Sequence, residues 1–211
     1  MCEMSLLNLT YLDYITSETI MLQMLFLFGL FGSPQEAPVP QESIKYGLIQ
    51  SEKGSLPLDS KDNLPVIIGQ TTSNIILEHR REFRNAYEKV QISPELCSRW
   101  KKIAIPCTIV VVFGSWCGDS HNWVPDLIKL SEMPNPFISV HWVGTYRDKT
   151  TKQNHWPEQT EMQIVEKVPT FWLFTPAGGS GTKLVGKIVE NPPKIDQTMA
   201  EALLELLESL R

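Results

Sequence analysis

The sequence predicts an α/β fold, a central mixed β-sheet flanked by helices, with a helical extension on its N-terminal side. Three observations carry this. Residues 107–113 (CTIVVVF) are a continuous β-branched and aromatic run, the pattern of a strand covered on both faces. The loop Gly114-Ser115-Trp116 leads from that run into Trp123, Val124, Leu127, Ile128 and Leu130 at helical spacing, after which residues 137–145 (FISVHWVGT) supply a second strand, the order of a parallel crossover. Residues 176–181 (PAGGSG) form turns readily and join two further strand-like runs, 171–175 and 183–189, which should pair as an antiparallel hairpin.

Taken from the N-terminus, residues 1–32 are a leader or apolar segment. Within it, 20–32 (IMLQMLFLFGLFG) are almost all apolar, yet spanning a bilayer takes about 20 residues, so a secretory signal segment is the better reading. No Lys or Arg precedes Lys45, and Glu3, Asp13 and Glu18 make the start acidic, which a signal peptide does not call for. A buried helix, an uncleaved membrane anchor, or an internal start at Met21 or Met24 are the other readings. The expectation is therefore an extracytoplasmic protein, periplasmic or secreted, with a cytoplasmic location following if the segment is a start-site artefact. Any membrane tether would run through this segment alone.

Residues 33–65 hold Pro34, Pro38, Pro40, Pro57 and Pro65 among Gln, Ser, Glu and Gly and read as a Pro-rich linker, with 44–49 as a short candidate edge strand. The folded domain is expected over 66–211, with its core at 107–211. Ile76, Phe83, Tyr87 and Val90 recur at helical spacing opposite Glu78, Arg80, Arg81, Glu82 and Arg84, which predicts one amphipathic helix. Ser93 as N-cap and Pro94 at the first helical position open a second helix carrying Leu96, Trp100 and Ile103, and Pro106 stops it. Pro125 should kink the helix that follows the first strand. A polar stretch to Thr160 leads to a short helix ending near Lys167, and Ile195, Met199, Ala202, Leu206 and Leu210 form the apolar stripe of a C-terminal helix. From residue 107 the expected order is β-α-β-α-β-β-α.

With 42% apolar residues the chain can bury a real core. The net charge of −5 is spread along the chain without a Lys/Arg block that could track phosphates, so no nucleic-acid partner is expected. The four cysteines, at 2, 97, 107 and 117, never stand at C-x-x-C spacing, and His141 and His155 lack companions at ligand spacing; neither a zinc site nor any other metal or cofactor is expected. Cys97 and Cys107 sit in apolar patterns and read as core, as do Trp100, Trp142 and Trp172.

Residues 110–127 (VVVFGSWCGDSHNWVPDL) resemble the thioredoxin superfamily, whose strand is followed by W-C-G-x-C and a helix with a proline eight residues after the first cysteine, here Pro125. Val168-Pro169-Thr170 is similar to the family's V-P-T segment, in which the proline takes a cis peptide bond beside the cysteine. Gly186 and residues 188–192 (IVENP) sit where the family's last strand leads into its closing helix. The resemblance covers 107–211 and implies that Cys117 is the working thiol. It also implies a substrate groove formed by Trp116, Gly118, Asp119, Val168, Pro169 and Thr170.

A cysteine at a helix N-terminus lies beside unpaired N–H groups and the positive end of the helix dipole, both of which stabilise its anion, and the thiolate is the nucleophile. His121, when protonated, would add to this, and Asp119 would oppose it. If Pro169 is cis, the Val168 carbonyl and the Thr170 N–H would lie along the groove for a substrate peptide to bond in strand fashion. The departures weigh as much. Ser120 stands where the family has its second cysteine, so the internal disulfide cannot form, and Val111 replaces the family's buried carboxylate. Cys107, six strand residues from the end of its run, lies roughly 20 Å away and cannot resolve in place.

What remains is a single-cysteine chemistry: thiol–disulfide exchange on protein or small-molecule disulfides, with Ser120 expected to donate a hydrogen bond to the thiolate and release depending on an external thiol or on the substrate's own second cysteine. The expected partners are thiol- or disulfide-containing proteins or glutathione-like thiols. Two alternatives stand beside it. One is a non-catalytic peptide-binding module on the same groove. The other is a monothiol glutaredoxin-like iron–sulfur carrier, since Cys117-Gly118-Asp119-Ser120 is similar to that family's C-G-F-S loop. Gly114, where peroxidatic sites have Thr, argues against peroxidase chemistry.

Overall fold

The computed structural model describes residues 57–210. Its elements run β1 (Gly69–Thr71), α1 (Ser73–His79), α2 (Arg81–Lys89), α3 (Pro94–Lys102), β2 (Cys107–Phe113), α4 (Gly118–Ser131), β3 (Ile138–Gly144), a 3₁₀ turn (Gln153–His155), β4 (Thr170–Pro176), β5 (Thr182–Val189) and α5 (Met199–Glu208). The strands form one sheet in the order β1-β3-β2-β4-β5. Strand β2 pairs parallel with β3 and antiparallel with β4, so the sheet is mixed and the β-branched run is its centre. Strands β4 and β5 are the expected antiparallel hairpin.

The two faces of β2 are covered by different means. Ile109, Val111 and Phe113 point into a layer of helices, where they meet Ile76, Phe83, Trp100, Leu127 and Leu203. Val110 and Val112 point the other way, into a smaller cluster with Val143, Val168, Trp172 and Phe174. Among the described residues, no helix covers that side. It is closed by the crossover between β3 and β4, which lays the buried Trp156 edge-on against Trp172 at 5.2 Å and against Phe174 at 6.5 Å. An apolar sheet face must be covered by something, and here a loop carrying one large aromatic does it.

Local chemistry sets the helix starts. Ser93 Oγ accepts the Leu96 N–H with Pro94 at the first position. Thr198 and Glu201 cap α5 reciprocally, Thr198 Oγ1 accepting the Glu201 N–H at 3.2 Å and Glu201 Oε2 accepting the Thr198 N–H at 2.8 Å. Pro125 lies buried inside α4, and Trp100, Trp142 and Trp172 are buried as expected.

Four expectations are corrected. The single helix over 76–90 is two, because Arg80 is extended (φ −137°, ψ 135°), its guanidinium drawn to Asp62 at 2.8 Å and to the Pro65 carbonyl at 3.3 Å. Ile76 and Phe83 are both fully buried across this break, so the apolar period runs through it. The short helix ending near Lys167 does not form: 161–167 are irregular, with Met162 N–H held by Gln153 Oε1 at 3.0 Å and Val165 packed on the smaller cluster. So short a segment, containing β-branched Ile164 and Val165, has little helical drive of its own. Ile195 is 93% exposed and lies before the Thr198 cap, outside the α5 stripe. Finally, β1 is a three-residue edge strand, antiparallel to β3, that periodicity did not reveal.

Residues 57–65 fold back on themselves, with Leu58 bridging Pro65 and Asp59 buried. The leader expected at 1–32, most of the linker and the strand expected at 44–49 lie outside the described residues. Among the described residues, no helix is long and apolar enough to cross a membrane.

Candidate functional site

The loop between β2 and α4 is a tight turn, closed by the Cys117 N–H donating to the Gly114 carbonyl at 2.9 Å. Cys117 then occupies the N-cap of α4, with extended backbone angles (φ −99°, ψ 126°), and its carbonyl accepts the first helical bond from His121 N–H at 3.0 Å. Whereas Thr72, Ser93 and Thr198 cap α1, α3 and α5 with their oxygens, no side chain caps α4. Its first-turn N–H groups are left for whatever Cys117 carries at Sγ.

That sulfur is half-buried and faces the segment before β4. Its S–H donates to the Val168 carbonyl at 3.3 Å, and the Val168–Pro169 peptide bond is cis. The facing loop is itself anchored: the Pro169 carbonyl accepts Glu190 N–H at 2.7 Å, and Lys167 pairs with Glu190 at 2.6 Å. The two segments that the sequence places 51 residues apart therefore meet at the thiol.

Trp116 forms one side. Its indole N–H donates to the Thr145 carbonyl at 3.0 Å, and its ring packs with Cys117 and Val165 against the smaller apolar cluster. Gly114 makes room for it: a Cβ there would stand 2.7 Å from the indole. Ser115 is fully buried and bolts the loop to the chain before β1 by accepting Ile67 N–H at 3.2 Å. Gly118 is exposed and Asp119 half-exposed at the helix start.

Three expected residues are placed differently. Ser120 is fully buried, and its Oγ accepts Gly114 N–H at 3.2 Å, turned into the loop and not toward the sulfur. His121 donates from Nε2 to the Ser115 carbonyl at 2.9 Å and sets its ring edge-on to Phe83 at 4.7 Å, a packing position in place of one at the thiol. Thr170 is buried as the first residue of β4, paired with both Val112 and Val189, and its Oγ1 donates to the Lys167 carbonyl at 2.7 Å. Cys107 lies buried at the far end of β2, its thiol pushed up to about 11 by burial, and Cys97 is buried on α3. Among the described residues, no group of three His, Cys, Asp or Glu could hold a metal ion.

Sequence reading missed two charged residues at this site. Arg147, just past β3, lays its guanidinium over the Trp116 ring at 4.6 Å. The same guanidinium forms a bidentate pair with Asp59, Nε to Oδ1 at 2.7 Å and NH2 to Oδ2 at 2.8 Å, and the Asp59 side chain has no exposed surface. That pairing holds the Asp59 carboxyl below the usual carboxylate range. The partners are 88 residues apart, with no local pattern to link them. Asp126 was missed too: buried on α4, it accepts Met199 N–H at 2.9 Å at the start of α5, and burial pushes it up to about 6 against that bond and one from Ala200 N–H.

No curated protein matches the chain. Two solved structures are similar to it at 15% identity and a TM-score of 0.48, each covering 68% of this chain: an HIV epitope scaffold, 93% of which is covered, and a protein of unknown function from Pseudomonas aeruginosa, 92% of which is covered. A family model described as Thioredoxin matches residues 70–203, more than half of the chain and everything from β1 into α5. By that match, the chain belongs to the thioredoxin family.

Proposed function

We propose that the protein carries out thiol–disulfide exchange through Cys117 alone. The observation that supports this best is the position of one half-exposed sulfur at the uncapped start of α4, 3.3 Å from the carbonyl that precedes cis-Pro169. The helix end favours the thiolate, and the thiolate attacks one sulfur of a disulfide. A new S–S bond to Cys117 forms as the old one breaks, and the second sulfur leaves as a thiolate that takes a proton from water. With Ser120 in place of a second cysteine, a thiol from outside or the substrate's own second cysteine completes the cycle: it attacks the mixed disulfide, bonds to the substrate sulfur, and returns the electron pair to Cys117.

This chemistry suits deglutathionylation or disulfide isomerisation better than dithiol reduction. The substrates would be protein or small disulfides, held beside Val168, Trp116 and Gly118, with a glutathione-like thiol as the second reactant. An extracytoplasmic location, as residues 20–32 suggest, would put the protein where disulfides form and persist. Release of glutathione from a glutathionylated peptide, with reduced glutathione in excess, tests the reading. Catalysed release should fall to the uncatalysed rate in Cys117→Ser, and equal rates in the two proteins would overturn it.

A further inference from the structure

The Asp59–Arg147 pair does more than join two loops. A bidentate pair with one member wholly enclosed would be unremarkable anywhere else in the fold. Here its guanidinium lies over the Trp116 ring at 4.6 Å, beside Cys117 in the chain, and its second contact is a carboxylate fixed from behind by the Lys61 N–H at 3.0 Å. Nε and NH2 are engaged by Asp59, which orients the planar fork against the indole. Both charges are permanent at working pH, since an arginine does not lose its proton and Asp59 is held ionised.

We infer that Arg147 and Asp59 are positioning residues of opposite sign for the Cys117 thiolate, the guanidinium favouring it and the carboxylate offsetting that gain while pinning the guanidinium to Trp116. The inference rests on Cys117 being a reactive thiol, as proposed above. The electrostatic coupling between Arg147 and Cys117 has the required sign, the thiolate favouring the charged guanidinium. Among the described residues, other charges around the sulfur are few. On α4 there are Asp119 and His121, the latter bonded to Ser115; from the facing loop come Glu166 and Lys167, with Lys167 paired to Glu190. None of these is stacked on the residue next to the thiol.

A purely structural pair and a pair of tuning charges differ in a measurable way. Removing either partner breaks the same bridge, so a structural role moves both variants in one direction; an electrostatic role moves them apart. The probe is the rate of alkylation of Cys117 by iodoacetamide, read by peptide mapping from pH 6 to pH 10.5 on the full chain. At pH 7, Arg147→Met, which keeps an apolar stem against the indole, should slow alkylation about three- to tenfold, and Asp59→Asn should speed it by a similar factor, the scale one nearby charge produces through a partly screened surface. Near pH 10.5, at the alkaline plateau of the rate profiles, the rates should converge.

Arg147→Lys keeps the charge without the fork and should stay within about twofold of the wild type. Changes in the same direction for Met and Asn, or differences that persist at pH 10.5, would overturn the inference. Should Asp59→Asn fail to fold, the Met and Lys variants decide it, because equal slowing in both would mean a clamp and not a charge. Wild-type protein that alkylates with these dependences yet exchanges no disulfide would sink the proposed function and leave this inference standing.

Discussion

The thiol of Cys117 donates to the carbonyl oxygen of Val168 across 3.3 Å, joining the start of α4 to the residue before the cis proline. In the reduced protein this bond occupies the Val168 carbonyl. Ionisation of the thiol removes the donor and leaves the carbonyl open to a substrate N–H. Under the proposed exchange chemistry, reaction and peptide docking would share an atom, so a bound peptide and a thiolate would favour one another.

Ser120→Cys should convert the protein from one-thiol to two-thiol chemistry. Position 120 lies on the first turn of α4, three residues from Cys117, and its side chain is enclosed, with only the Gly114 N–H to satisfy. Replacing that oxygen with a weak sulfur acceptor costs about 1 kcal/mol. The variant should reduce insulin disulfides with dithiothreitol as donor well above the wild-type rate and should form an internal disulfide between 117 and 120. No gain over wild type would mean that the first turn of α4 cannot bring the two sulfurs together.

Gly114→Ala should displace Trp116. The added Cβ would fall 2.7 and 2.8 Å from two indole carbons, closer than carbon atoms pack, so the ring must shift. Moving it breaks the bond from the indole to Thr145 and unstacks Arg147. A loss of about 1–3 kcal/mol in stability follows, as for overpacking elsewhere. The indole N–H signal of Trp116 in an NMR spectrum should shift and lose its protection from exchange; an unmoved, protected signal would contradict the packing described.

Asp126→Asn should change how stability varies with pH. The folded carboxyl is raised to about 6, chiefly by burial, from the ordinary 3.8, so between about pH 4 and 6 the folded state binds the proton more tightly than the unfolded one. From this group, stability is greatest below pH 4 and falls as pH rises to 6. The amide does not titrate, and it still accepts the Met199 N–H. Subtracting the melting curves of Asp126→Asn from those of the wild type should therefore give a difference that moves against the wild type as pH rises from 4 to 6. A flat difference would place the carboxyl in solvent.

Cys107 should be silent in the native protein. Burial at the sheet end pushes its thiol up to about 11, and only the Phe174 backbone opposes that. Mass mapping after brief iodoacetamide treatment at pH 8 should find Cys117 modified and Cys107 intact until denaturant is added.

How far the sequence could be read follows the range of the forces involved. The ends of β2 were legible to the residue because a strand covered on both faces must be apolar throughout, and the start of α3 because Ser93 and Pro94 act within one turn. The facing of Cys117 and Val168 came from motif resemblance; no property of residues 161–167 announces where that loop goes. The break at Arg80 was hidden because one extended residue left Ile76 and Phe83 on the same buried face. Asp59 and Arg147 could not be paired in advance, since their attraction spans 88 residues and depends on a three-residue edge strand too short to leave a period. Ser120 stands where the resemblance puts a second cysteine, but which way its hydroxyl turns is decided by the Gly114 N–H, a partner only the folded loop supplies.

The most direct measurement is the site of the mixed disulfide formed when the reduced protein meets glutathione disulfide at neutral pH. Peptide mass mapping should find one glutathione, on Cys117, formed faster than on a model cysteine peptide, removed by added reduced glutathione, and absent from Cys117→Ser. Glutathione found elsewhere, or the same labelling in Cys117→Ser, would contradict the assignment of the exchange chemistry to this sulfur.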